Sequence, residues 1–94
     1  MNTSWKIKLS KSAEKHLKKH GKDLQEKINS AILSMLNYFD GKEAAKPDVK
    51  LLKGKYKGLL RLKVGGYRII FSIDYRKPEI FVIDILPRGD AYKE

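Results

Sequence analysis

The sequence predicts an α+β fold: an N-terminal strand, a helical hairpin, and then an antiparallel β-sheet. Three observations carry this. Residues 5–9, Trp5-Lys6-Ile7-Lys8-Leu9, alternate apolar and basic side chains, the period of a strand with one buried face. Leu24, Ile28, Ala31, Ile32, Met35 and Phe39 recur at spacings of three and four, which draws one apolar stripe along a helix. From Leu51 onward the period changes to two, with glycine-rich turns between apolar runs. A run of helices followed by a run of strands is the order of an α+β domain. At 94 residues the chain is one domain, 1–94.

Each element has its own signals. Ser10 after the first strand is a helix N-cap, and Ala13 and Leu17 give a short helix that Gly21 ends. The second helix covers about residues 23–39, with Gly41 closing it. A polar connector containing Pro47 follows, then a short strand at Leu51-Leu52 and a basic loop over residues 53–58. Residues 59–64, 67–74 and 79–86 read as three strands, joined by Gly65-Gly66 and by a turn around Tyr75-Arg76-Lys77-Pro78.

The composition narrows the chemistry. An apolar fraction of 41% is enough for a packed core. The absence of cysteine removes disulfides, thiolate metal sites and thiol nucleophiles together. No run approaches the length needed to span a membrane, and the N-terminus lacks a signal-peptide core, so a cytoplasmic location is expected. The formal net charge is +10, which speaks about partners more than about fold. Lysines are spread along the whole chain, but the four arginines are Arg61, Arg68, Arg76 and Arg88.

Gly65-Gly66 between alternating strands signals a two-residue hairpin turn. That register sets Val64 opposite Tyr67, Lys63 opposite Arg68 and Leu62 opposite Ile69. Alternation then places Leu60, Leu62, Val64, Tyr67, Ile69, Phe71 and Ile73 on the core side. Arg61, Lys63 and Arg68 share the other side. Like charges facing each other on a sheet are destabilising, and such a local cost is expected at a functional site. On the last strand Phe81, Ile83 and Ile85 suit the core, leaving Val82, Asp84, Leu86 and Arg88 on the cationic side, with Tyr92 beyond. Between Asp48 and Asp74 there is no acidic residue, while Lys50, Lys53, Lys55, Lys57, Arg61, Lys63 and Arg68 all fall there. No local counter-charge is therefore expected for the patch, beyond a balancing Asp84. His16 and His20 stand at i, i+4 on a lysine-rich helix with no evident third ligand; they read as surface histidines, and no metal or other cofactor is expected.

A cationic patch with a tyrosine suits RNA: ammonium and guanidinium groups hold phosphates, and aromatic rings stack on bases. The same groups could support metal-free cleavage. A 2′-hydroxyl attacks the adjacent phosphate, arginines stabilise the added charge, and a side chain removes the proton. Neighbouring cations favour the ionised form of a tyrosine, which makes Tyr92 a candidate base.

The residues 52–71, LKGKYKGLLRLKVGGYRIIF, followed by Phe81-Val82-Ile83-Asp84-Ile85 and Arg88-Gly89-Asp90-Ala91-Tyr92, resemble the RelE/ParE superfamily of type II toxins. The strand and helical hairpin before them match the same pattern, so the resemblance covers nearly the whole chain. It implies a fold related to small microbial ribonucleases and a cognate antitoxin that wraps the toxin, with an acidic segment over the basic face. In the RelE branch it implies cleavage of mRNA on the ribosome to a 2′,3′-cyclic phosphate and a 5′-hydroxyl. By position, Arg68 would stabilise the scissile phosphate and Arg61 would take the place of a basic residue on the preceding strand. Arg88 would stabilise the transition state or protonate the leaving group, and Tyr92 would be the base. Lys63 would bind phosphate, with Lys53, Lys55 and Lys57 as further RNA-binding residues. The chain departs from the pattern in three places: Leu59 stands where RelE has a second lysine, Pro87 where several branches have histidine, and the Arg88–Tyr92 spacing is short. Two other readings remain open: a ParE-like poison of DNA gyrase, and a basic RNA-binding module without catalysis.

Overall fold

The computed structural model describes residues 5–42 and 46–87. Its elements follow the expected order: β1 (Lys6–Leu9), α1 (Lys11–His20), α2 (Lys22–Phe39), β2 (Val49–Leu51), a 3₁₀ turn (Gly54–Tyr56), β3 (Leu60–Val64), β4 (Tyr67–Asp74) and β5 (Glu79–Pro87). The strands form one sheet in the order β1-β5-β4-β3-β2.

The helix ends follow from local chemistry. Ser10 holds an extended backbone and its hydroxyl accepts a hydrogen bond from Ala13 N at 3.0 Å, which satisfies one of the donors left open in a first turn. Gly21, at φ +82°, ends α1 and starts α2. That left-handed conformation is one an L side chain resists. Ser10 also donates from its backbone to Val82 O at 2.9 Å and from its hydroxyl to Ile83 O. The start of α1 is thereby pinned beside β5.

The core lies between the helices and one face of the sheet. Ala13, Leu17, Leu24, Ile28, Ile32, Met35 and Leu36 from the helices pack with Leu62, Val64, Ile69, Phe71, Ile80, Val82 and Ile85 from the sheet. The β3–β4 register is the expected one, with Val64↔Tyr67, Lys63↔Arg68 and Leu62↔Ile69. Gly65 at the turn has φ +57°, the conformation that makes a tight hairpin favour glycine.

The α+β architecture is the expected one, and the four strands after the helices are antiparallel to their neighbours. The N-terminal strand joins them parallel to β5 (Lys6↔Glu79 through Leu9↔Val82), which makes the whole sheet mixed. β1 and β5 come from opposite ends of the chain, so no tight turn forces them to run in opposite directions. One expectation, for β5, needs correcting. Its pairing with β4 jumps from Ile70↔Asp84 to Phe71↔Val82, a bulge that leaves Ile83 with no opposite residue on β4. Ahead of the bulge the faces exchange. Val82 and Ile80 are buried, while Phe81 is exposed, the reverse of the expected Phe81 and Ile83 in the core with Val82 outside. Beyond the bulge Ile85 is in the core, with Asp84 and Leu86 on the other side, as expected.

Candidate functional site

The face of the sheet opposite the main core carries two rows of side chains across three strands. One row is Lys63–Arg68–Leu86 and the next is Arg61–Ile70–Asp84, with Lys50 of β2 opposite Arg61. Lys63 is exposed, Arg68 is half-buried, and they face each other directly. The structure thus brings together Arg61, Lys63 and Arg68 of the expected residues. Arg88 and Tyr92 lie outside the described residues; β5 ends at Pro87, opposite Tyr67.

Arg61 is the one charged residue buried among those described, at 6% exposure. Its guanidinium donates to Asp48 Oδ1 at 3.0 Å and to the Asp48 carbonyl at 3.3 Å. Lys63 approaches the same carboxylate, Nζ to Oδ2 at 3.9 Å, and its backbone N donates to the Asp48 carbonyl at 3.0 Å. The expectation that the patch has no local counter-charge is therefore wrong. Asp48, just before β2, is carried alongside β3 by the antiparallel pairing of the two strands. The Arg61 hydrogen bond, with the charges of Arg61, Lys63 and Lys50, holds the Asp48 carboxyl below its usual range; the smaller opposing effect is desolvation.

The segment between β2 and β3 returns over this face. Leu52 N donates to Leu59 O at 2.9 Å, closing the segment into a loop. Leu52 and Ile70 are both buried, although neither belongs to the main core cluster. The Tyr56 hydroxyl reaches Asp84 Oδ2 at 3.4 Å, and the Lys55 ammonium sits 5.5 Å from the centre of the Tyr56 ring. Lys53, Lys55 and Lys57 are exposed along this loop.

Asp84 gathers groups from three parts of the chain. Besides Tyr56, its Oδ1 accepts from Ile85 N at 3.0 Å and from Ser12 Oγ at 3.4 Å, and lies 3.9 Å from His16 Nδ1. The reading of His16 as a plain surface histidine fails here. Its Nδ1 is sealed from solvent and has no hydrogen-bond partner. His20 stacks beside it at 6.5 Å, and its Nδ1 meets the Tyr67 hydroxyl at 3.4 Å. Among the described residues no three His, Cys, Asp or Glu side chains are grouped so as to hold a metal ion. Nor is any described helix long and apolar enough to cross a membrane.

Comparison with known proteins bears on the family and the fold. Residues 7–92 match the family model of the ParE toxin of the type II toxin-antitoxin system parDE. No curated protein matches the chain. Among solved structures, the archaeal RelE-RelB complex from Pyrococcus horikoshii OT3 contains a chain 25% identical, with TM-score 0.64, over 95% of this chain and all of that one. The RelB-RelE antitoxin-toxin complex from Methanococcus jannaschii gives 24% identity and TM-score 0.57, over 85% of this chain and 88% of that one. The intact E. coli RelBE toxin-antitoxin complex gives 19% identity and TM-score 0.53, over 94% and 100% of the two chains.

Proposed function

The chain belongs to the ParE toxin family of type II toxin–antitoxin systems, within the RelE/ParE superfamily, and from that premise we propose that it inhibits translation by cleaving mRNA on the ribosome. The single observation that carries this reading is the Lys63–Arg68 pair, held face to face on an otherwise well-paired sheet. Two cations in that register are suited to a phosphate between them. Arg68 binds the scissile phosphate and stabilises the charge that builds up as the 2′-hydroxyl attacks. Lys63 holds the same or the adjacent phosphate. Lys53, Lys55 and Lys57 grip the RNA on either side, with affinity that falls as salt rises. Arg61, clamped by Asp48, sets the position of β3 against the connector. Arg88 stabilises the transition state or protonates the 5′-oxygen, and Tyr92 is the base suggested by family resemblance.

A cognate antitoxin neutralises the toxin by laying an acidic segment over this face; the RelE–RelB complexes among the structural relatives support a partner of that kind. The reading is tested by expressing the protein and mapping mRNA ends on translating ribosomes. Wild-type protein should leave 2′,3′-cyclic phosphate ends, and intact mRNA would refute it. Resemblance to ParE toxins implies a second reading, a poison of DNA gyrase. Inhibition of gyrase supercoiling with no RNA scission would select it.

A further inference from the structure

His16 occupies a position that a solvated helix residue would not need. Ser12 and His16 are one helical turn apart on α1, and both approach Asp84 of β5. The imidazole Nδ1 is fully sealed yet unbonded, while the side chain as a whole keeps 33% of its surface exposed. Nδ1 is therefore the inner nitrogen and Nε2 the outer one. A buried, unbonded ring nitrogen is a cost to the fold. A closure of about 1 Å toward the carboxylate would convert the 3.9 Å approach into a hydrogen bond, and catalytic hydrogen bonds commonly tighten only when substrate is bound.

His16 also lines a cavity of about 420 Å³, together with Ser12, Lys15, Lys18 and Lys19. That volume lies in the range of small-molecule sites, and three ammonium groups around it favour an anionic occupant. On the sheet side, Asp84 stands in the row next to Arg68 and Leu86. The groups that face His16 are thus Asp84 from β5, His20 along α1, and the α1 lysines at the cavity.

We propose that His16, oriented by Asp84, is the base of the cleavage reaction, with the cavity beside it taking a nucleotide of the RNA. This rests on the reading of the protein as a ribonuclease and gives His16 the role that family resemblance assigns to Tyr92. Asp84 accepts the Nδ1 proton and so fixes the tautomer whose free lone pair is on Nε2. Nε2 takes the proton of the 2′-hydroxyl, O2′ forms its bond to phosphorus, and the bond from phosphorus to O5′ breaks. The 5′-oxygen takes a proton from water, and the imidazolium returns its own to solvent. The products are a 2′,3′-cyclic phosphate and a 5′-hydroxyl.

The test compares wild type with H16Q, H16A, D84N and Y92F in single-turnover cleavage of mRNA on translating ribosomes. H16Q is expected to slow cleavage by about 10²–10⁴-fold. D84N should slow it to a smaller extent, and added free imidazole should restore part of the rate of H16A. Imidazole rescue is a readout that a merely structural histidine would not give. Wild-type rates in H16Q, or loss of cleavage in Y92F alone, would overturn the assignment and leave RNA cleavage standing. Absence of cleavage by the wild type would instead overturn the reading beneath it.

Discussion

The two faces of the β3–β4 hairpin follow opposite rules on the same backbone. On the face toward the helices, Leu62 opposes Ile69 and Val64 opposes Tyr67, and all belong to or pack on the core. On the other face, one residue along, Lys63 opposes Arg68 and Arg61 is buried against Asp48. The first face lowers free energy by removing apolar surface from water. The second spends some of that stability on charge held in fixed positions. The difference teaches where to look for function: in the row where pairing is unfavourable, not in the row where it is good.

This contrast can be broken from the core side first. Phe71→Ala empties a fully buried position and should cost about 3–5 kcal/mol, a large share of the stability of a domain this small. Urea unfolding followed by circular dichroism should show the midpoint falling steeply. Arg68→Ala attacks the other face and should do the reverse. Cleavage should fall by at least about 100-fold, while the buried core, to which Arg68 does not belong, stays folded. A thermal melt run beside the cleavage assay separates the two effects.

Smaller changes sharpen the boundary between the faces. Gly65→Ala forces a side chain into φ +57° with nothing within 4 Å to clash with, so the cost is conformational, about 1 kcal/mol. On this scale a melt should drop by about 4–8 °C. Asp48→Asn tests the counter-charge. Because the folded carboxyl is held below its unfolded value of 3.8, it contributes stability above that value, lost as pH falls through the lower folded one. The gap in urea midpoint between wild type and D48N should therefore be constant from about pH 5 to 7 and shrink by pH 3. Raising salt from 50 to 200 mM should weaken binding of the antitoxin or of RNA at the rim, with the steepest loss where Lys53, Lys55 and Lys57 make the contacts.

The parts of the fold that were legible in sequence are those set by local chemistry. Ser10 and Gly21 marked α1, the apolar stripe marked α2, and the glycine pair fixed the hairpin register to the residue. The β5 bulge was not legible, because Ile80-Phe81-Val82-Ile83 is apolar at every position and alternation has nothing to choose between. The site was legible where it lies on the hairpin and hidden where it depends on distant pairing. Asp48 looks like the border of an acid-free stretch until the β2–β3 register carries it to Arg61 and Lys63. His16 looks solvated until Ser10 pins the start of α1 beside β5 and brings Asp84 to its ring. Tyr56 sits among lysines in sequence, and its contact with Asp84 follows only from the fold of the loop.

The most direct measurement is the rate of mRNA cleavage on translating ribosomes by wild-type protein and by Arg68→Ala. The wild type should cut, and the rate should fall by about 100-fold or more in the variant, with both proteins folded at the assay temperature. Intact mRNA with the wild type, or undiminished cutting by Arg68→Ala, would contradict the assignment of the cationic face as the working surface of the protein.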